Sequence, residues 1–570
     1  MHSEQILAEA EALLQRKDLP AALQRFEELV RREPDHARHW AGYGKGLFAA
    51  QRSQEAIQAL ERACRLDPDD VASRTELGGI CERCCRLEEA IHWHGQALAL
   101  APRSLVLRLN HAFIWPIVAS SADEIRMCRD RARQHFAQLC ADPDVVVDLD
   151  HEATHHTFGM AYHGVDDRAW LEAYAHLVMP HLRATTEPTA PLLQPSVAGQ
   201  RLKLGFASSF FMRHSNSRAF EGLLRGLDRD HFELVLIHLP GGAEDDVRRR
   251  LESSVDRVVP CKAHVGEMQR QLQALQLDLL FFTDVGMNAT LPALLTQRYA
   301  PVQMTGWGFP RTSGFPTLDY YVSGDLVEPT NAQEHYSETL VRLTGLPCRY
   351  LSEDLPCDPF AEAMGRQYFL LPMESPLIGC LQTYWKLHPD FDAILEHIAR
   401  AIPEVWFVFL EPFYPELWDV FLCRLQRNAP TAAERLLPLS RVNRNQYNAL
   451  AGCLDLLLDT PHFGSGISFY ESISTGTPIV TMEGPFLRSR FVAGGYRLME
   501  LEDAPIAANP EAMAELTIAL LKDPARLRTL RQRIREAARA QLFDRMDMVH
   551  SFTAFADEAI ERARSQSSIH

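Results

Sequence analysis

The sequence predicts a helical repeat domain followed by two successive parallel α/β domains with a cleft between them. Three observations carry this. A period of 34 residues runs through the first 110. After it, short apolar runs alternate with helical segments in two blocks, 200–350 and 375–540. Stretches rich in proline precede each block. A chain of 570 residues exceeds what one core organises, so several domains are expected. Hydrophobic content of 46% with 23% charge is that of a globular protein. A net charge of −17 excludes a general nucleic-acid binder, which needs a basic footprint.

Residues 1–110 carry the repeat. Pro34, Pro68 and Pro102 share the period, as do Ala22, Ala56 and Ala90, and Leu29, Ala63 and Ala97. Small residues let paired helices approach, and each proline closes a second helix. This is the tetratricopeptide pattern, a helix–turn–helix unit that stacks into a solenoid. Such a groove suits a peptide or protein partner; a plain helical bundle is the alternative. Cys81, Cys84 and Cys85 form the tight cluster among twelve cysteines, with Cys64 one helix earlier. Apolar packing of thiols is expected there rather than zinc.

Residues 111–199 read as a helical intermediate region. His151-Glu152-Ala153-Thr154-His155 formally matches a zinc-protease motif, but no third ligand motif follows, so solvated or capping histidines are expected. Residues 184–200, ATTEPTAPLLQPSVAGQ, read as a linker. Strands are expected at 202–207, 234–239, 279–282, 302–307 and 320–323, with helices between them. A connector at 349–376 follows. Strands resume at 377–381, 406–410, 436–439, 454–458 and 479–481. Amphipathic helices over 511–564 brace the second block, one of them crossing back to the first, with 541–570 as a C-terminal helix.

The chain is organised around 454–480, LDLLLDTPHFGSGISFYESISTGTPIV. An apolar strand ends at Asp459. Pro461, Gly464, Ser465, Gly466 and Ser468 lead to a helix start near Ile467, and Glu471 lies one turn in. A small-residue turn between a strand and a helix N-terminus is an anion site, and an acid one turn inside can reach a ribose hydroxyl. The competing reading is an ordinary βα turn of a doubly wound sheet.

Seven motifs in one order resemble the O-linked GlcNAc transferase / SPINDLY family of inverting GT-B glycosyltransferases: Ala300-Pro301-Val302-Gln303, Gly308-Phe309-Pro310-Arg311-Thr312-Ser313-Gly314, Asp319-Tyr320-Tyr321, Tyr336-Ser337-Glu338, Lys386-Leu387-His388-Pro389, Asp459-Thr460-Pro461 and Gly476-Thr477-Pro478-Ile479-Val480-Thr481. Other stretches are similar to the soluble bacterial N-glucosyltransferases that modify adhesins: Arg213-His214-Ser215-Asn216-Ser217, Val285-Gly286-Met287-Asn288 and Phe463-Gly464-Ser465. The O-GlcNAc transferases usually carry Asp where this chain has Phe210, Pro where it has Ser215, and His-Thr-Thr where it has Gly466-Ile467-Ser468.

The resemblance implies a GT-B fold of two Rossmann-like domains behind the tetratricopeptides. It implies hexosyl transfer from a UDP-sugar to protein side chains, with no cofactor beyond the donor. Lys386 would oppose the β-phosphate, since charge grows on the leaving diphosphate. Ser468 and the 464–468 turn would supply N–H donors, and Glu471 would hold the ribose. Arg444, Gln446 and Tyr447 would frame the base, and Thr383 and Asp459 complete the donor set. Gly308 and Pro310 would admit the sugar, with Tyr384 and Trp385 as walls. His214 would take a proton from the acceptor or orient the sugar. No metal is expected, for no acidic pair of the DxD kind sits in a suitable turn.

Two other readings compete: a tetratricopeptide scaffold whose transferase half has decayed, as Phe210 hints, and a transferase acting on a glycan or small molecule. The N-terminus MHSEQILAEAEALLQ lacks a basic-then-apolar leader, and no apolar run is long enough to span a bilayer. A cytoplasmic protein without a membrane partner is expected.

Overall fold

A computed structural model describes residues 3–142, 144–147, 157–182 and 200–567. The His151–His155 motif lies outside these residues. The chain forms two compact units, one from 1–147 with 412–424, the other from 148–411 with 425–570.

The first unit opens with helices Ser3–Gln15, Leu19–Arg32, Ala37–Ala49, Ser53–Leu66, Val71–Arg83 and Leu87–Leu100. The period of 34 is the period of burial. Ala22, Ala56, Ala90, Leu29, Ala63 and Ala97 are all fully buried where helices cross. Side-chain caps set the helix starts: Asp70 accepts from the Ser73 N–H at 3.0 Å and Asp18 from the Ala21 N–H at 3.3 Å. Helices Leu105–Ala112 and Ala122–Ala141 continue the stack. Cys64, Cys81 and Cys84 sit in its apolar core. Burial pushes the Cys81 thiol up to about 12 and those of Cys64 and Cys84 to about 11. Residues 412–424 belong to this unit: the Tyr414 ring stacks on Phe48 at 5.2 Å, and the buried Arg424 donates to the Ala119 carbonyl at 2.8 Å.

The second unit holds two parallel sheets. The first contains β1 (Leu202–Ser208), β2 (Phe232–His238), β3 (Arg257–Pro260), β4 (Leu279–Phe282), β5 (Val302–Gly306), β6 (Tyr320–Gly324) and β7 (Thr339–Leu343), in the order β3-β2-β1-β4-β5-β6-β7. The second contains β8 (Leu377–Gly379), β9 (Trp406–Leu410), β10 (Leu436–Leu439), β11 (Leu456–Leu458), β12 (Ile479–Met482) and β13 (Ile506–Ala507), in the order β10-β9-β8-β11-β12-β13. The central strands β1, β4 and β5 are buried almost throughout, as sheets covered on both faces must be. The fold class is the one expected. The strands that sequence reading omitted, β3, β7 and β13, are sheet edges, where exposure removes the apolar signal: β3 is exposed at Arg257, Val258 and Pro260.

One C-terminal helix crosses back, as expected. Helix Asp547–Ser567 lies against the first sheet: Phe552 stacks on Phe281 at 6.2 Å, Asp557 meets His231 at 2.7 Å and Arg564 reaches Asp278 at 2.9 Å. Helix Pro524–Gln541 stays with the second sheet, where Arg531 donates to the carbonyls of Gly452, Leu454 and Asp455. No helix among the described residues is long and apolar enough to cross a membrane.

Candidate active site

Each sheet has one point where its winding reverses, between β1 and β4 in the first and between β8 and β11 in the second. Loops leave such a point in opposite directions and open a crevice at the carboxyl ends of the strands, where ligands bind in doubly wound folds. The second sheet's crevice brings together the loop after β8, which carries Lys386, and the loop after β11, which carries 459–466.

Lys386 closes a short 3-10 turn, Tyr384–Lys386, that starts at Thr383, whose carbonyl accepts the Lys386 N–H at 2.9 Å. Its half-buried ammonium spans both loops. It donates to the Gln382 side chain at 2.9 Å and to the Gly464 carbonyl at 2.7 Å, and it lies 4.9 Å from the centre of the Phe463 ring. Burial pushes it down to about 8, with the Asp459 charge working in the opposite direction.

Asp459 organises the turn from beneath. Its carboxylate, 2% exposed, accepts from the Ser465 N–H at 2.7 Å, the Ser465 hydroxyl at 3.0 Å and the Thr481 hydroxyl at 2.9 Å. It is built as a brace under the site rather than as a ligand contact. The turn's N–H groups also divide differently from expectation. Those of Gly464 and Ser465 are consumed by the Arg488 carbonyl and by Asp459. Gly466 caps helix Ile467–Ile473. Among the described residues, the N–H groups of Gly466, Ile467 and Ser468 meet no acceptor, as the first donors of a helix do not. These three remain available for an anion beside Lys386.

The residues expected around ribose and base are engaged otherwise. Glu471 is 4% exposed, and its Oε1 accepts from Arg444 Nε at 2.8 Å and from the Tyr350 hydroxyl at 3.1 Å, with Arg218 Nε at 3.2 Å. Arg218 comes from the helix after β1, so this carboxylate ties the two halves together. Arg444 also donates to Tyr350 at 2.6 Å and to the Asp354 carbonyl. Gln446 completes a capping box with Asn443 and donates to Tyr368 at 2.7 Å. Tyr447 alone of the three turns towards the anion turn, its hydroxyl 3.4 Å from that of Ser472.

The first sheet's crevice holds His214, at the start of helix Ser215–Gly226. Its Nδ1 accepts the Asn216 N–H at 3.1 Å, which places the proton of the neutral ring on Nε2. Phe210 stacks on the imidazole at 4.5 Å. Burial, then Arg218, push His214 down to about 4. The ring therefore presents a neutral N–H donor, which suits orienting a sugar hydroxyl and not taking a proton. Across the same switch point, after β4, lies a residue that sequence reading missed. Asp284 is fully buried, accepts from the Ser209 hydroxyl at 3.1 Å, and is lifted by burial to about 7. It anchors the loop that carries His214.

Several motif residues are fold devices. A Cβ on Gly308 would stand 1.8 Å from the Thr283 carbonyl oxygen, so the close approach of the loops after β4 and β5 by itself requires glycine there. Pro310 faces a small pocket shared with Asp167, Tyr336 and Arg488. Thr312 and Ser313 are pinned by the buried Glu338, which accepts from the Thr312 hydroxyl at 2.6 Å and the Ser313 N–H at 2.8 Å. Tyr384 turns away and donates to the Leu410 carbonyl at 3.1 Å. Trp385 packs against partners no motif announced: it stacks on Tyr162 at 5.7 Å and meets Phe158 edge-on at 5.5 Å. Phe158 in turn stacks on Phe309, and Tyr162 on Phe463, so one aromatic cluster joins both halves.

Residues 7–71 match the tetratricopeptide repeat and residues 154–346 match glycosyl transferase family 41. A probable UDP-N-acetylglucosamine–peptide N-acetylglucosaminyltransferase SPINDLY of Solanum lycopersicum is 25% identical over 346 residues, covering 59% of this chain and 36% of that protein. The corresponding SEC protein of Arabidopsis thaliana is 22% identical over 364 residues, covering 61% and 36%. The matches thus span about a third of the length of these relatives. Among solved structures, an O-GlcNAc transferase variant of Thermobaculum terrenum superposes with a TM-score of 0.75 at 19% identity, covering 99% of this chain and 98% of its own. In its repeats, its glycosyl transferase family 41 match and its two-sheet fold, the chain is similar to the O-linked GlcNAc transferase / SPINDLY proteins.

Proposed function

We propose that the protein is an inverting glycosyltransferase that moves a hexose, N-acetylglucosamine or glucose, from a UDP-sugar to side chains of acceptor proteins without a metal. One observation carries the donor half: the Lys386 ammonium bridges the two loops of a switch-point crevice, beside three backbone N–H groups without acceptors. Negative charge grows on the diphosphate as the sugar leaves, and a preorganised cation with N–H dipoles answers it without solvent rearrangement. His214 Nε2–H orients the sugar or acceptor from the facing half. The proposed domain division is repeats at 1–110, a helical region at 111–199, Rossmann-like halves at 200–350 and 375–540 and a closing helix at 541–570. The repeats present the acceptor polypeptide, a reading that rests on solenoid geometry and on the relatives' names. The proposed location is the cytoplasm, which suits cysteines packed as thiols in an apolar core.

The test is intact-mass analysis of candidate acceptor proteins incubated with UDP-N-acetylglucosamine, UDP-glucose and GDP-fucose, followed by site mapping. Addition of one hexose or one N-acetylhexosamine residue mass with release of UDP is expected. Donor hydrolysis with no protein addition would redirect the reading to a glycan or small-molecule acceptor, and no reaction or nucleotide binding would sink it in favour of a scaffold.

A further inference from the structure

Beyond Lys386, the loops after β8 and β11 meet a second time. His388, Asp390 and His462 each place one ligating atom within 4.8 Å of the others. Asp390 Oδ2 is shared between the rings, 2.7 Å from His462 Nε2 and 3.4 Å from His388 Nδ1. The imidazoles stand edge to face, 4.3 Å apart at 72°.

Two imidazoles and a carboxylate are the donor set of first-row divalent ions with N and O ligands. Zinc bonds of about 2.0–2.2 Å set neighbouring ligand atoms roughly 3.3 Å apart in a tetrahedral site. The 3.4 Å separation already fits, and the 2.7 Å contact opens by about half an ångström, as it must once a cation replaces the shared proton. The His462 ring is held in place. Gly164 turns with φ +68°, and a Cβ there would stand 2.4 Å from His462 Nδ1, so only glycine lets the ring lie against this turn with Nε2 aimed at Asp390. His388 Nδ1 now accepts the Asp390 N–H at 3.2 Å, a long contact that the ion replaces. The Asp390 side chain is 47% exposed, so an ion can enter from water.

We propose that His388, Asp390 and His462 form a binding site for a divalent transition-metal ion of the zinc class, which clips the segment carrying Lys386 to the segment carrying Phe463 and the anion turn. The ion is a clip between loops; the charge facing a diphosphate remains that of Lys386. The site stands whether or not the protein transfers a sugar.

Cobalt is the probe, because its visible d–d absorption reports coordination directly. Glu33, His36 and His39 form the other such cluster among the described residues, so the full chain carries H36A throughout to silence it. Chelator-stripped protein titrated with Co2+ is expected to give saturable bands that Zn2+ displaces. D390N, which keeps the shape of the side chain, and H462A are each expected to weaken Co2+ binding at least about tenfold. Absence of saturable bands, or bands of undiminished affinity in both variants, would overturn the site. Since the bands are read without nucleotide, their loss is distinguishable from failure of the donor reading.

Discussion

Burial costs Lys386 part of its charge just where charge is needed. Burial holds the ammonium at about 8, and a diphosphate beside it would raise that value, since an opposite charge favours the protonated form. Between the two values, binding takes up a proton. UDP affinity is therefore expected to fall by up to about tenfold per pH unit above 8. Calorimetry in two buffers of different ionisation enthalpy checks both the slope and the proton uptake; an affinity unchanged through pH 9 would remove Lys386 from the phosphate. Replacing Lys386 with alanine is expected to weaken UDP on the order of tenfold to a hundredfold, the range for a charged hydrogen-bonding group, and to cost transfer more, because the leaving charge grows in the transition state. His214 makes a different prediction. Its Nδ1 is a helix cap and its imidazole is neutral far below pH 7. His214→Ala should lower transfer by about tenfold or more through one lost donor, and His214→Asn, able to cap and to donate, should recover part of it. A rate profile whose acidic limb, the rate falling as pH drops through about 6 to 7, vanishes in His214→Ala would restore the general-base role.

At the scale of elements, the repeat and the central strands were legible because burial there is periodic. Ala22, Ala56 and Ala90 recur in sequence for the reason they are buried in space. The anion turn was legible as a position but not as an inventory of donors, because a sequence does not say that Asp459 takes the Ser465 N–H or that Arg488 takes that of Gly464. Gln382, which meets both Lys386 and Ser465, left no signal at all: its role depends on β8 and β11 being neighbours. Likewise, nothing local tells that 412–424 belongs with the repeats. That membership decides how the proposed presentation of an acceptor by the repeats is tested. Deleting only 1–110 would strip Tyr414 of Phe48 and leave an apolar surface bare. The informative truncation removes 1–147 and replaces Phe413 and Tyr414 with serine. UDP binding and donor hydrolysis are expected to survive, since both switch points lie in the second unit, while transfer to proteins falls sharply. Protein transfer unchanged in a folded truncation would show that the repeats do not present the acceptor.

At the scale of the whole two-sheet unit, the question is what Glu471 does. Sequence position makes it the ribose acid; the structure makes it a keystone between the halves, with Arg218 arriving from the first sheet and Arg444 and Tyr350 closing round it. Both roles predict that its loss weakens nucleotide binding, so binding of UDP alone cannot separate them. The 2′-hydroxyl can. A ribose-holding carboxylate gives wild type a preference for UDP over 2′-deoxy-UDP that Glu471→Gln abolishes. A keystone gives a variant that binds both more weakly in equal proportion, because the crevice itself has loosened. Stability separates them further. With its side chain 6% exposed, Glu471 neutralises two guanidiniums, and removing its charge leaves them uncompensated at the junction. Breaking a buried pair in this way costs about 3 kcal/mol, near the low end because Arg444 keeps contact with water. The keystone role therefore predicts a clear fall in the unfolding midpoint of Glu471→Gln, larger than for Lys386→Ala, whose partners at the crevice mouth are neutral. An unshifted midpoint together with loss of 2′-hydroxyl preference would return Glu471 to the ribose.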